Sequence, residues 1–449
     1  MITTKPASPE TIRLPNEFLD RIKNPLARFM RIESAAGAIL LLCTVIALAL
    51  SNSPLAHVFE NLWEIDISFQ VGTFEFARSL REWINDALMT IFFFLVALEL
   101  KRELVLGELN KPRMAALSIA AALGGMVVPA VIYLIMQSGQ SGAHGWGTVM
   151  ATDTAFVIGC LALLGTRIPQ SLRVFMLSLA IVDDIGAILV VAIGYSSDLV
   201  WWPLLVAAIG IVILRVMAIL GFRGFPLYTL MGVLLWISVD ASGIHPTIVG
   251  VVLGLMTPAR RWVSDERLYA ILGQVVAHSA SSESNADTKD RHTLQMAETA
   301  ARETLSPVER LVIALHPWVG FIIMPLFALA NAGMTLSLGS FSSSVAMAVF
   351  FGFVIGKPSG VILFSWLAVR MRIATIPQEL NWRLLASGSF LAGIGFTMAL
   401  FIASMAFDES LIEGAKLGIF MASLFSAVIG LLLLISLPVR KPPQVSLPH

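Results

Sequence analysis

Charge is what this sequence has least of. Asp, Glu, Lys and Arg make up 13% of its 449 residues, against 57% hydrophobic. Mean hydropathy is +0.82. Soluble domains run at about a quarter charged and under half apolar, so the scarcity excludes an ordinary soluble chain and points to a polytopic membrane protein. The basic and acidic residues number 30 each and cancel, which gives no sign of a nucleic-acid partner or a polyanionic substrate. Cysteine is almost missing. Cys43 and Cys160 lie far apart in apolar stretches, which supports neither a disulfide framework nor a structural zinc site. A cleavable signal is not apparent either. The first 32 residues carry Lys5, Arg13, Arg21, Lys23, Arg28 and Arg31 with no apolar core between them, so the stretch from Ser34 reads as a retained helix.

What is abundant is long apolar runs. A helix crossing roughly 30 Å of hydrocarbon needs about 20 apolar residues. Twelve segments are expected on that measure, at about 34–51, 83–104, 114–136, 147–165, 171–195, 200–220, 225–238, 243–257, 311–335, 343–369, 384–407 and 414–437. The seventh and eighth are short, and read as short helices buried by neighbours or as one re-entrant pair. Basic residues gather after every second span: Lys101, Arg102, Lys111 and Arg113, then Arg167 and Arg173, Arg215 and Arg223, Arg260, Arg261 and Arg267, Arg370, Arg372 and Arg383, and finally Arg440 and Lys441. The alternation follows the positive-inside rule and puts both termini in the cytoplasm. Residues 1–32 and 438–449 are then cytoplasmic tails around a transmembrane core over 33–437.

Two connections differ from the rest. In the external loop 52–82, Ile65, Ile67, Phe69 and Val71 alternate with polar residues, and Phe74 and Phe76 keep the period after Gly72-Thr73. That predicts a β-hairpin over 65–76, whose strand edge can stay a surface loop or pair with a second copy. The polar segment 263–305 reads as a mostly disordered cytoplasmic insertion with a short helix near 293–305.

Few ionisable residues sit inside the spans: Asp153 in the fourth, Asp183 and Asp184 in the fifth, and Lys357 in the tenth. Each mid-membrane charge costs about 2.5–3.5 kcal/mol on insertion scales, roughly 10–14 kcal/mol for the four. Three acids facing one base make a poor purely structural salt-bridge cluster. Neighbouring residues on a helix point about 100° apart, so one of the aspartate pair can face a cavity while the other faces a helix. Two carboxylates this close do not both ionise readily in a low dielectric, and such a pair can trade a proton for a metal cation. Lys357, in Gly356-Lys357-Pro358, keeps its charge best beside a carboxylate, either Asp183 or Asp153. Gly352, Gly356 and Gly360 form a small-residue stripe suited to helix packing. The polar patch Ala151-Thr152-Asp153-Thr154 and the run Gly393-Ile394-Gly395-Phe396-Thr397 interrupt spans four and eleven. They fall at matching places if spans three to five and ten to twelve are inverted repeats.

The stretches Trp83–Met89, Leu98–Leu104, Ala151–Phe156, Ala180–Ala187, Leu315–Trp318, Pro325–Gly333, Gly356–Pro358 and Gly393–Met398 resemble, in order, those of the bacterial NhaA-type sodium/proton antiporters. These antiporters are themselves an example of the rule that broken helices in two repeats mark a midplane binding site. The resemblance implies an all-α fold of about 12 spans with inverted repeats, broken helices 4 and 11, and an external hairpin between helices 1 and 2. It implies a transporter, not an enzyme, without a cofactor: an electrogenic exchanger of sodium or lithium for protons in the bacterial inner membrane, serving sodium and pH homeostasis. Asp183 and Asp184 would bind the cation or protons. Asp153, Thr152 and Lys357 would support the site and offset helix-end dipoles, with Lys357 released from Asp183 when cation binds. Membrane lipid and a second copy, joined through the hairpin, are the implied partners. Glu99, Arg102 and Glu103 match part of the family's pH-responsive cluster, and His245 matches another such position. The Glu-His pair usual four residues before His-Pro-Trp is Val312-Ile313 here, so pH control is expected to differ. A sodium-coupled symporter of an organic solute is the main alternative. A passive channel would need a continuous polar lining, and an intramembrane aspartyl protease would need its two aspartates on different helices.

Overall fold

Backbone amides in hydrocarbon must find partners within their own segment, so apolar runs of this length fold as helices. A computed structural model describes residues 25–437, apart from 72–73, 108–111, 196–198, 221–224, 336–342, 378 and most of 260–304. The two tails up to residue 24 and from residue 438, the expected turn at Gly72-Thr73, and nearly all of the 263–305 insertion lie outside the described residues.

The first helix, α1 (Pro25–Ser51), is followed by a short α2 (Ala56–Trp63) and a two-stranded antiparallel sheet, β1 (Asp66–Val71) and β2 (Phe74–Ser79). Phe69 pairs with Phe76 and Asp66 with Ser79, so the expected hairpin is present and its second strand runs three residues further than the apolar alternation. Helix α2 was not expected in this loop. One of its faces is turned inward, where Trp63 is buried, and one turn back on the same helix Phe59 meets the Trp63 ring edge-to-face at 5.7 Å. Next comes α3 (Leu80–Leu106), started by a capping box in which Ser79 accepts from the Glu82 amide and Glu82 accepts from the Ser79 amide.

Then follow α4 (Pro112–Met136), a 3₁₀ segment (Ser141–Val149) with α5 (Thr154–Leu163), α6 (Gln170–Gly194), α7 (Trp201–Ile219), α8 (Phe225–Asp240) and α9 (Ile248–Met256). The last third has α10 (Pro307–Asn331), α11 (Ser344–Arg370), α12 (Trp382–Ala392), α13 (Phe396–Ala406) and α14 (Glu409–Ser436). Among the described residues, 7 continuous helices are long and apolar enough to cross a membrane, or up to 10 if bent pairs count as single spans. The two short segments appear as α8 and α9, of 16 and 9 residues.

Both expected interruptions are real. The 3₁₀ segment and α5 meet at 47° across residues 150–153, and α12 and α13 meet at 46° across residues 393–395. The second break packs against α11 and α14, which leaves no room for a side chain at Gly393. A Cβ on Gly393 would lie 2.9 Å from the Phe353 carbonyl oxygen and 2.6 Å from Ser426 Oγ.

Helix α11 lies along α4. Gly356 and Gly360 of the stripe serve this packing, because a Cβ on Gly356 would come within 2.7 Å of Pro129 Cα and one on Gly360 would collide with the Gly124 carbonyl, while Gly352 packs against Val149 of the 3₁₀ segment. The π turns Val319–Ile323 and Gly352–Gly356 each end just before a proline, Pro325 or Pro358. Proline has no N–H to close the regular ladder, so the helix widens there. Lys357 follows directly on the second of these turns.

Candidate functional site

Helix α6 carries Asp183 and Asp184 at mid-length, 0% and 2% exposed. The unwound strand 150–153 passes beside it. At Asp153 the backbone is extended, so the side chains before and after it point one way and its own points the other. The contacts follow that alternation. Thr152 Oγ1 lies 2.8 Å from Asp183 Oδ2 and Thr154 Oγ1 lies 3.1 Å from Asp184 Oδ2. Asp153, between them, turns to the other interrupted span, where its Oδ2 accepts from the amide and the hydroxyl of Thr397.

Asp153 thereby caps two helices. Its Oδ1 accepts from the Phe156 amide at the start of α5, and its Oδ2 serves the start of α13. Both N-termini present positive dipole ends, which one carboxylate answers. The strands are also joined directly, since the Asp153 amide donates to the Ile394 carbonyl at 2.7 Å. On the opposite side two C-terminal ends face inward. Lys357 Nζ donates to the Met150 carbonyl, and Thr152 Oγ1 reaches the Ala392 carbonyl at 2.9 Å. A hydroxyl has one proton, so Thr152 donates to Asp183 or to Ala392, not fully to both.

Lys357 is fully buried and its Nζ sits 2.9 Å from Asp183 Oδ2. Of the two partners allowed by sequence, the structure selects Asp183. Among the described residues, Asp183 Oδ1 and Asp184 Oδ1 are buried with no protein hydrogen-bond partner. Each carboxylate thus spends one oxygen on the protein and keeps one. Together with the hydroxyls this is an all-oxygen donor set, the kind that suits a hard cation.

The other sequence candidates form separate groups. Glu99 Oε1 is 3.9 Å from His316 Nε2 of α10, and Arg102 pairs with Glu103 at 3.7 Å. Val312 is buried, whereas Ile313 is 63% exposed and faces outward. His245 Nε2 lies 3.5 Å from Asp86, and its Nδ1 is 2.9 Å from Thr247 Oγ1. Arg78 of β2 bridges Asp86 and Asp240 in the same group, reaching Asp240 at 2.5 Å. Sequence reasoning did not assign Thr154, Thr397 or Ser423, whose Oγ accepts from the Phe396 amide at 3.2 Å. Thr154 and Thr397 stand in the interrupted runs and could have been chosen for that. Ser423 carries no sequence signal, as it is one serine in a long apolar helix.

An apolar bundle of this kind, with its buried charges collected where two interrupted helices cross, defines a multi-pass membrane protein with a central acidic site. Residues 27–434 match the family described as Na+/H+ antiporter 1. The chain is 56% identical over 438 residues to the Na(+)/H(+) antiporter NhaA 2 of Acidiphilium cryptum, covering 98% of each chain. It is 55% identical over 430 residues to NhaA 2 of Vibrio vulnificus, covering 96% of each. With NhaA of Rhizobium meliloti it shares 56% over 422 residues, covering 94% of this chain and 97% of the relative. The chain belongs to the Na+/H+ antiporter 1 family, a family of transporters in bacterial membranes.

Proposed function

We propose that this chain exchanges sodium for protons across the bacterial inner membrane by alternating access, with Asp183 and Asp184 carrying either ion. The observation that carries this reading is the buried aspartate pair at the crossing of the two breaks, each member holding back one oxygen from the protein. With no cation bound, Lys357 balances the charge of Asp183. A cation arriving between the carboxylates supplies positive charge of its own, competes with Lys357, and displaces protons from the pair. Asp153 and Thr152 hold the breaks together while the site turns from one side to the other. The relatives' names favour this exchange over sodium-coupled uptake of an organic solute.

The finer reading is electrogenic exchange, with more protons entering than sodium ions leaving, and lithium accepted in place of sodium. It includes inverted repeats, twelve crossings and cytoplasmic termini, supported by the alternation of basic loops. A homodimer joined through the 65–76 hairpin is supported by the strand edges that this two-stranded sheet leaves unpaired among the described residues. The pH response is assigned to Glu99, Arg102, Glu103 and His245, with His316 as the partner of Glu99. The test is reconstitution of the purified chain in vesicles carrying a proton gradient. Adding sodium collapses the gradient if the reading is right; a gradient indifferent to sodium and lithium at every pH overturns it.

A further inference from the structure

Asp183 and Asp184 are neighbours, yet they are held differently. Asp183 is sealed: Lys357 and Thr152 contact its Oδ2, and both are 0% exposed. Asp184 has no cationic partner among the described residues, and its Oδ2 meets the hydroxyl of Thr154. Thr154 is only partly buried, unlike Thr152. The Asp184 side is therefore the less enclosed side of the pair, and Thr154 stands on it.

We infer that Thr154 is a further ligand of the transported cation, supplying a neutral hydroxyl oxygen beside Asp184 and setting the discrimination between sodium and lithium. The inference rests on the assignment of the aspartate pair as the exchange site. Two observations and one point of chemistry support it. The extended backbone at Asp153 aims Thr152 and Thr154 to the same side, one at each carboxylate. Asp184 Oδ1 is buried without a protein partner, so a cation resting there lies within reach of a side chain that already touches the other oxygen. A hydroxyl that donates to a carboxylate also has lone pairs, and on rotation it turns them toward a cation.

Hard cations differ in how many oxygens they gather, the smaller ion accepting fewer and demanding tighter geometry. Losing one neutral oxygen therefore weakens sodium binding more than lithium binding. A residue that only started helix α5 would affect both ions alike.

The experiment measures apparent KM for sodium and for lithium in vesicles containing the purified chain. Thr154→Val keeps the shape and removes the hydroxyl. It is expected to raise the sodium KM about tenfold, the scale of one lost contact to a charged group. The lithium KM should rise by about threefold or less, so that the ratio of the two shifts at least about threefold. Thr154→Ser, which keeps the hydroxyl, is expected to leave that ratio within about twofold of the parent. Equal changes for both ions, or no change, overturn the inference. Thr154→Ala must show the same ratio shift and keeps the test decisive if the valine variant inserts poorly. A parent protein that exchanges neither ion contradicts the exchange site itself; a parent that exchanges both while the ratio stays fixed in the variants contradicts only the role of Thr154.

Discussion

Lys357 and Asp183 meet with neither side chain exposed to solvent. Removing one partner of a buried ion pair leaves the other uncompensated, at about 3–5 kcal/mol. Lys357→Met is expected to lower the melting temperature of the detergent-purified protein clearly, and adding Asp183→Asn to recover much of the loss. A double variant no more stable than the single one would show that the two residues are not coupled. At this scale the acidic site was legible because hydrocarbon makes charge expensive, so Asp153, Asp183, Asp184 and Lys357 stood out singly. The choice between Asp183 and Asp153 as the lysine's partner was not legible. It depends on the extended backbone at Asp153, which sends that carboxylate to Thr397 rather than to Lys357. Hydroxyls such as Ser423 are cheap to bury when bonded, and nothing in the local sequence marks which serine caps a distant helix.

Elements owe their placement to small residues and breaks. Helices α4 and α11 touch at Gly124 and Gly360 with no space for a side chain. Gly360→Val is expected to destabilise the protein by about 1–3 kcal/mol or reduce its insertion, by overpacking. Gly159, around which a Cβ would meet nothing within 4 Å, should tolerate alanine without such a loss. Fluorescence-detected gel filtration after heating separates the two outcomes. The hairpin is anchored by Arg78, whose guanidinium bridges Asp86 and Asp240 at 20% side-chain exposure. Arg78→Ala should speed amide exchange over Asp66–Val71 and Phe74–Ser79. Unchanged exchange there would refute the anchor. The strand alternation at 65–76 was readable because a period of two is distinct among apolar helices. Helix α2 was hidden, since eight residues ending in Trp63 give too short a pattern to separate from loop. The twelve segments read from hydropathy likewise mark apolar length, not continuity, and so they do not count helices where a span is broken or short.

For the whole molecule, the proposed mechanism has sodium and protons compete for one pair of carboxylates. The apparent KM for sodium is therefore expected to rise as pH falls, approaching tenfold per unit where one proton is displaced. A KM independent of pH would mean that the two ions use separate sites. The departure at Val312 and Ile313 bears on regulation at this scale. Both are aliphatic, one buried and the other facing outward, so neither adds charge to the Glu99–His316 contact. The most direct measurement is uphill uptake of radioactive sodium into vesicles, driven only by an imposed proton gradient, with the parent protein and Asp184→Asn compared side by side. The expected result is gradient-driven accumulation by the parent and none by the variant, with both proteins folded and inserted. Sodium movement that ignores the proton gradient, or accumulation that survives in Asp184→Asn, would contradict proton-coupled exchange at the aspartate pair.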